Sequence, residues 1–163
     1  MKPKTVGRSG DANHVTLSHQ IKGLPAHSII LTLDGERRVR DLSPGQRIVT
    51  RDSGTALLRA IRQRTVLVPL IRIRAGSLGD TRPDCDTILP AGQGVLVRDW
   101  RALALFGANQ AIVAAGRLVD GEFITRTAPQ QTTICELVFD RSHILYVDGL
   151  EVAGHVAASA LAA

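Results

Sequence analysis

Apolar and polar residues alternate along several short stretches of the chain, a pattern typical of β-strands with one buried face. GLPAHSIILTLDG (23–35) and DTILPAGQGVLVR (86–98) both indicate half-buried strands. The same alternation occurs in QRIVTR (46–51), TVLVPLIRIRA (65–75), TTICELVFD (132–140) and HILYV (143–147). Pro69, inside the longest of these stretches, predicts an edge position or a bulge because proline cannot donate to a sheet ladder. The pattern predicts a mainly β protein with many short strands.

Asp-Gly pairs lie between or just before these predicted strands. Asp34-Gly35 separates SIILTL from ERRVRDL, Asp148-Gly149 separates HILYV from LEV, and Asp120-Gly121 precedes EFITRT. Residues that tolerate positive φ are what tight two-residue hairpin loops require. The sequence therefore predicts hairpins at the first two pairs and a turn at the third.

Three stretches bear on helix content. RDWRALALFG (98–107) has Trp100, Leu103 and Phe106 at helical spacing, although a strand is an open alternative. Ala114 to Leu118 suit one helical turn. The alanine-rich end, EVAGHVAASALAA (151–163), has helical propensity but few residues that could anchor it by packing. One or two short helices are expected.

A length of 163 residues suits one domain with a substantial core. We predict a flexible N-terminal tail over 1–22, a β domain over 23–155 and a C-terminal tail over 156–163. No apolar run approaches the roughly 20 residues that span a bilayer. The basic start MKPKTVGRSGDANH lacks the apolar segment of a secretory signal, so a cytoplasmic location without membrane contact is expected.

Arginine accounts for most of the net charge of +5. It occurs in ERRVR (36–40), RAIRQR (59–64) and IRIR (71–74), and in the last of these it alternates with isoleucine as on a strand with one solvated face. Five aromatic residues in the whole chain provide few platforms on which bases could stack. A solvated basic face is therefore favoured over a nucleic-acid site.

The two cysteines, 50 positions apart, form no zinc-binding or redox motif. Cys135 lies on the same strand face as Leu137 and Phe139 and is predicted to be buried, whereas Cys85, in RPDCDT, is predicted to be exposed. Asp84, Cys85 and Asp86 have no histidine nearby, so a polar turn is favoured over a metal loop. No metal or cofactor site is predicted.

Several stretches, taken in order, resemble the hedgehog/intein (Hint) domains, and most closely a bacterial branch of them. The first is IILTLDGERRVRDLSPGQRIVTRDSG, in which Ser28, Ile30 and Thr32 match the opening of that branch. It is followed by IRIRAGSLG (71–79), DTILPAGQGVLV (86–97), AAGRLVDG (114–121) and ELVFDRSHILYVDGL (136–150). The resemblance covers about residues 23–150 and implies a compact β-horseshoe built from two pseudo-twofold hairpin halves.

The resemblance also implies an autoprocessing reaction. In it an N-terminal Cys or Ser attacks the preceding peptide carbonyl, and a histidine protonates the departing amide nitrogen. The nucleophile falls at Gly23 and the histidine at Gln93, while a neighbouring hydroxyl falls at Pro90. None of the three can perform the family's chemistry, because glycine has no side chain, glutamine does not titrate and proline has no hydroxyl.

The last block of the resemblance also departs from the family. Its first histidine becomes Glu136, and an Arg-His-Glu triplet becomes Arg141-Ser142-His143. His143 is interpreted as part of a polar surface pair with Asp140-Arg141 in preference to an acid–base group. We expect a remnant of the family's cleft, and the candidate residues to line it are Ser28, Gln93, Cys135, Glu136 and His143.

The sequence favours a catalytically degenerate Hint-like domain, kept as a binding or structural module with an unidentified protein partner. Two alternatives stay open. The first is a self-cleaving domain that uses Ser28, with His27 beside it, as a shifted nucleophile for an N–O acyl shift. The second is a basic adaptor whose arginine-bearing strands bind nucleic acid or an acidic protein.

Overall fold

The computed structural model describes residues 21–79 and 81–156, and the mainly β architecture predicted from the sequence is confirmed. The strands within those residues are β1 (Leu24–Pro25), β2 (Ile29–Thr32), β3 (Gly35–Arg38), β4 (Arg47–Thr50), β5 (Gly54–Leu57), β6 (Ala60–Val68), β7 (Leu70–Ile73), β8 (Thr87–Pro90), β9 (Gly94–Val97), β10 (Ala111–Ala114), β11 (Ile124–Arg126), β12 (Gln130–Phe139), β13 (Ile144–Val147), β14 (Leu150–Ala153) and β15 (His155–Val156). The helical elements are α1 (Trp100–Phe106) and two 3-10 helices (Val39–Asp41 and Ala115–Leu118).

The strands form three open sheets. One has eight strands in the order β10-β9-β14-β13-β2-β4-β5, with β3 paired to β2. A second has the order β1-β12-β15, with β6 also paired to β12, and a third has the order β11-β7-β8. The strands β10 and β5 are thus the two ends of the main path through the largest sheet.

The alternation of apolar and polar residues that the sequence predicts appears as alternating burial on these strands. On β2, β4 and β13 every second residue is buried, and the apolar sets from these strands merge into one core. On β7, Ile71 and Ile73 are fully buried while Arg72 between them is exposed. Phe139, at the end of β12, is among the largest fully buried side chains of the described chain.

Two predicted hairpins form, with one shift. Asp148 and Gly149 are the two loop residues between β13 and β14, and both have positive φ (51° and 74°), as a tight hairpin turn requires. The first hairpin pairs Thr32 with Gly35, so its loop is Leu33-Asp34 and not Asp34-Gly35. Thr32 explains the shift, because its hydroxyl accepts from Asp34 N–H and donates to Gly35 C=O.

The stretch 98–107, for which the sequence allows a helix or a strand, contains the helix α1. Asp99 caps its first turn by accepting a hydrogen bond from the Arg101 N–H, and Gly107 ends it in the left-handed conformation. The predicted helical turn at Ala114 to Leu118 is present as a 3-10 helix that follows the strand β10. None of the helices in the described residues has the length and hydrophobicity that a bilayer crossing requires.

The helical propensity of the alanine-rich end is overridden where the structure describes it. Residues 150–153 pair with β13, and His155-Val156 pair in parallel with Val138-Phe139 of β12. Tertiary pairing therefore outweighs local propensity, and the rest of that stretch, 157–163, lies outside the described residues. The predicted N-terminal tail also lies outside them except for Ile21 and Lys22, and the Ile21 carbonyl accepts from Gly92 N–H at 3.0 Å.

Candidate functional site

A hydrogen bond joins the two positions at which the resemblance places the nucleophile and the histidine. The Gly23 N–H donates to Gln93 Oε1 at 2.9 Å across 70 positions of sequence. Gln93 Nε2 donates to the carbonyls of Ala153 (2.8 Å) and Gly94 (3.1 Å). These contacts fix the orientation of the Gln93 amide, because its oxygen faces an N–H group and its nitrogen faces two carbonyls. The residue is 1% exposed. The turn between β8 and β9 thus holds Gln93 on the peptide bond that precedes Gly23.

The backbone at Gly23 leaves no room for a side chain. Its φ is +125°, a conformation that glycine adopts easily and other residues rarely do. A Cβ built there would lie 2.6 Å from Ile134 Cγ2 and 2.9 Å from the Cys135 carbonyl oxygen. The cause is the pairing of Leu24 with Cys135, which brings β1 against β12 directly after Gly23. No nucleophilic side chain can be added at this position unless the neighbouring backbone moves.

A cavity of about 540 Å³ lies beside this hydrogen bond. It is bounded by the chain before β1, the β8–β9 turn, the edge strand β10 and the end of the described chain. Its lining residues are Lys22, Gly92, Gln93, Gly94, Ile112, Ala114, Ala153, Gly154, His155 and Val156. Half of them are glycine or alanine, which keeps the cavity open.

His155, like Lys22, is a titratable residue of this cavity that the sequence does not predict. Its Nε2 is buried and has no hydrogen-bond partner in the described chain. Burial is the main cause that lowers the pKa of His155; Glu136 opposes the shift, and Lys22, Arg62 and Arg64 add to it. His155 reaches the cavity through the parallel pairing of β15 with β12, a long-range contact for which an alanine-rich stretch gives no local signal.

The structure describes all five residues that the sequence predicts to line the remnant cleft. Of these five, Gln93 alone lines the cavity. Ser28 is 1% exposed, and its Oγ is buried without a hydrogen-bond partner in the described chain. Cys135 is buried in the core and reaches Gly23 through its backbone carbonyl. Glu136 faces a groove with Arg62, Gln63 and Arg64, and its Oε1 lies 3.6 Å from Arg64 Nη2.

His143 is buried, not exposed, so its interpretation as part of a polar surface pair is wrong. It is 6% exposed, and its ring meets that of Phe139 edge-on with centroids 5.6 Å apart. Its Nδ1 lies 3.8 Å from Asp52 Oδ2, while the neighbouring Asp140 pairs with Arg59 instead. The aromatic contact in the core explains the burial, because Phe139 anchors the corner between β12 and β13.

The two thiols differ as the sequence predicts, since Cys135 is buried and Cys85 is exposed, and both are free. Burial raises the pKa of the Cys135 thiol and so suppresses the reactive thiolate. We therefore expect Ellman's reagent at pH 8 to titrate Cys85 quickly in the folded protein and Cys135 only after guanidinium is added. The variant Cys85→Ser is the control, and a fast reaction in that variant would contradict the burial of Cys135.

Within residues 21–79 and 81–156, no group of three or more His, Cys, Asp or Glu side chains is placed to hold a metal ion. Asp86 instead fixes a turn, because its Oδ1 accepts a hydrogen bond from Ala75 N–H at 2.9 Å. Pro90, where the resemblance places a hydroxyl, ends β8 opposite Leu70. The described lining residues offer a hydrogen-bonding amide, one imidazole and one ammonium group, but no thiol or hydroxyl of the kind that opens the family's reaction.

Comparisons with known proteins identify the fold and the family. A family model of the Hint domain matches residues 23–156. The solution structure of a bacterial intein-like domain from Clostridium thermocellum superposes with a TM-score of 0.60 at 16% identity, over 83% of this chain and 99% of that one. The MchDnaB-1 intein gives 0.53 at 14% identity, over 81% and 99%, and the TvoVMA intein gives 0.54 at 11%, over 80% and 96%. Among curated proteins no sequence matches.

At these identities the structural likeness concerns the fold, while the family match spans most of the chain. It begins at Gly23, the residue that contacts Gln93, and it ends at Val156, which lines the same cavity. The chain therefore belongs to the Hint domain family.

Proposed function

We propose that this Hint domain is catalytically degenerate: it does not cleave or splice its own chain and acts as a binding or structural module. The observation that carries the proposal is the backbone at Gly23. Its φ of +125° and the 2.6 Å and 2.9 Å approaches of Ile134 and Cys135 leave no space for a nucleophile. The acyl shift that opens the family's reaction has no atom to start from at this position.

Gln93 supports the proposal from the other side of the scissile position. The family's histidine delivers a proton to the departing amide nitrogen, whereas Gln93 presents an oxygen that accepts the Gly23 N–H. Its own N–H groups are bound to two carbonyls. An amide held in this way stabilises the Lys22–Gly23 peptide bond in its ground state and offers no titratable proton at neutral pH.

The alternative with Ser28 as a shifted nucleophile has less support. Ser28 is 1% exposed and does not line the cavity beside Gln93. His27, its neighbour, is exposed and borders a different pocket with Arg72 and Asp86. A serine nucleophile needs a base within hydrogen-bond reach, and its buried Oγ has no hydrogen-bond partner in the described chain.

The alternative of a basic adaptor is weakened by how the arginines are used. Arg51, Arg82 and Arg98 surround the carboxylate of Glu151. Arg59 pairs with Asp140 and Arg101 with Asp99. These five arginines contribute less to a basic surface because carboxylates of their own chain bind them, although only Arg59 lies in the stretches that this alternative uses, 36–40, 59–64 and 71–74. We place this function behind the degenerate Hint domain.

Intact mass tests the proposal. The purified full chain, incubated for days with hydroxylamine or a thiol, is expected to keep its full mass, because these nucleophiles trap only an ester or thioester that has formed. The variant Ser28→Ala serves as the matched control. A fragment beginning at Gly23 would overturn the proposal, and a fragment beginning at Ser28 that disappears in S28A would establish the shifted nucleophile instead.

A further inference from the structure

We propose that the outer edge of β6 binds an extended acidic segment of another protein chain, which adds there as an antiparallel strand. This inference rests on the proposed function, because it names the class of partner that the degenerate domain binds as a module. It does not need the broad basic surface of the adaptor alternative, because the backbone edge provides the binding and two arginines of β6 select the segment.

The first support is a row of unpaired backbone groups along β6, which pairs with β12 and with no other described strand. On the far side of β12, the Ala26 N–H donates to Thr133 C=O at 3.0 Å, so the backbone groups of Thr133 point towards β1. Thr65 lies opposite Thr133 and therefore occupies a non-bonded position of the β6–β12 ladder, with its own N–H pointing outward. The same alternation applies to Gln63 and Leu67, and none of the three N–H groups has a partner within the described residues.

The second support is the exposure of this edge. The four consecutive residues from Arg62 to Thr65 are exposed, although their side chains alternate between the two faces of the strand. Leu67 is 60% exposed. A strand added about 4.8 Å from β6 therefore has room on both faces of the sheet.

The third support is the charge that β6 itself carries at this edge. Arg62 and Arg64 lie on one face of the strand, and Glu136 of β12 lies opposite Arg62. These three residues and Gln63 line a groove of about 200 Å³. Glu136 Oε1 lies 3.6 Å from Arg64 Nη2, whereas Arg62 forms no ion pair within the described residues. One carboxylate for two guanidinium groups leaves a positive charge that a carboxylate of the partner can neutralise.

The pairing geometry brings such a carboxylate close to the arginines. Because Gln63 and Thr65 take the hydrogen bonds of the added strand, Arg62 and Arg64 fall at its non-bonded positions. Facing Cα atoms are about 4.5 Å apart at these positions, and the side chains lie closest there. Opposite charges that face each other stabilise the pairing of two strands, and like charges oppose it.

The other candidate strands do not carry the complementary charge. A second copy would bring the same two arginines to the edge, and charged side chains on an edge strand commonly prevent such self-pairing. The segment 1–20 of this chain has three Lys or Arg residues and one Asp, and the segment 157–163 has no acidic residue. Charge complementarity therefore favours an acidic segment of another chain.

Two dye-labelled ten-residue peptides serve as probes, one of alternating threonine and glutamate and one of alternating threonine and lysine. Their binding to the full chain is measured by fluorescence anisotropy, with intact mass and light scattering recorded on the same samples. We expect saturable binding of the glutamate peptide and about tenfold weaker binding of the lysine peptide at low salt. A changed mass would overturn the proposed function. An unchanged mass with no binding, or with equal binding of both peptides, would overturn this inference alone, and a dimer that excludes the glutamate peptide would assign the edge to a second copy instead.

Methylated peptides separate strand addition from charge attraction alone. N-methylation of the two central threonines removes N–H groups that face β6, whereas N-methylation of the two central glutamates removes N–H groups that point away from it. We expect the first change to weaken binding about tenfold and the second to alter it by less than about twofold. Equal effects of the two changes would overturn strand addition.

Charge reversal on β6 tests the role of the two arginines. The double variant R62E/R64E is expected to prefer the lysine peptide, because the sign of the charge at the edge is reversed. The double variant R37E/R38E, on the exposed strand β3, makes the same change in net charge and should keep the preference of the wild type. If circular dichroism shows that R62E/R64E does not fold, R62Q/R64Q takes its place and is expected to lose the preference. An unchanged preference in the folded β6 variant would overturn the assignment.

Hydrogen exchange locates the bound peptide without a mutation. In the free chain the amides of Gln63 and Thr65 are expected to exchange faster than those of Arg64 and Val66, which point towards β12. The glutamate peptide should slow the first two amides and leave the other two unchanged. Unchanged exchange of Gln63 and Thr65 at saturating peptide would exclude β6 as the binding edge.

Discussion

Replacing Glu151 by alanine is expected to destabilise the fold by about 3 kcal/mol. The reason is that removal of the carboxylate leaves the partly buried charges of its arginine partners without a counter-charge. The side chain of Glu151 is 8% exposed. Arg82 Nη1 and Arg98 Nη2 both donate to its Oε1 at 2.7 Å. Arg51 Nε lies 3.0 Å from Oε2 as an ion pair, without the geometry of a hydrogen bond.

The cluster joins parts of the chain that are far apart in sequence. Arg51 follows β4, Arg82 lies in the connection before β8, Arg98 follows β9, and the carboxylate that holds them is on β14. The side chains of Arg51, Arg82 and Arg98 are 29%, 23% and 32% exposed, so water can solvate their charges once the carboxylate is removed. This partial exposure places the expected effect at the lower end of the range for buried pairs, about 3–5 kcal/mol.

Urea unfolding followed by circular dichroism measures the effect. Glu151→Gln keeps an oxygen that can accept the two short hydrogen bonds but removes the charge, and we expect it to fall between the wild type and E151A. Asp140→Asn breaks the exposed pair with Arg59 and should leave the midpoint unchanged. If E151A unfolded at the same urea concentration as D140N, the cluster would contribute nothing to stability.

Local patterns carry much of the fold but not its long-range pairings. Alternation predicts β4 and β13, and the Asp148-Gly149 pair predicts the turn that follows β13, because both signals act over a few residues. The β6 strand begins at Ala60, inside a basic stretch with no alternation, and forms because nine of its residues pair with β12. The Glu151 cluster is likewise invisible in the sequence, since its arginines converge only after the sheets assemble.

The candidate site, like the fold, is predicted from the sequence only in part. The resemblance places the family's nucleophile at Gly23 and its histidine at Gln93, and in the structure a hydrogen bond of 2.9 Å joins these two residues. Lys22 and His155 are not predicted, because the first lies in a stretch read as a tail and the second in one read as helical. Both enter the cavity through backbone pairings that no short motif encodes, the hydrogen bond of Ile21 to Gly92 and the pairing of β15 with β12.

Replacing Gly23 by alanine is expected to destabilise the fold more than the same change at any open glycine. The left-handed backbone costs an alanine about 1–3 kcal/mol. Overpacking of the added methyl against Ile134 and Cys135 adds about 1–3 kcal/mol, since the second contact is with backbone that cannot rotate away. The two together give about 2–6 kcal/mol.

Gly45→Ala is the matched control. Its φ is +95°, and nothing lies within 4 Å of an added Cβ, so this variant carries the backbone strain without the clash. The difference between G23A and G45A in urea unfolding therefore isolates the close approach of β12. Equal destabilisation by the two variants would mean that the neighbourhood of Gly23 relaxes freely, and a side chain could then be accepted there.

The same geometry predicts the outcome of restoring the family's nucleophile. Gly23→Cys adds the same Cβ, and Gln93 still presents an oxygen to the amide that a proton would have to reach. We expect G23C to fold less stably and to keep its full mass with hydroxylamine, because the obstacle lies in the backbone as well as in the missing thiol. Cleavage at residue 23 in that variant would show that one substitution separates this domain from activity, whereas an intact chain would show that the backbone at residue 23 and Gln93 together block the reaction even when a thiol is present.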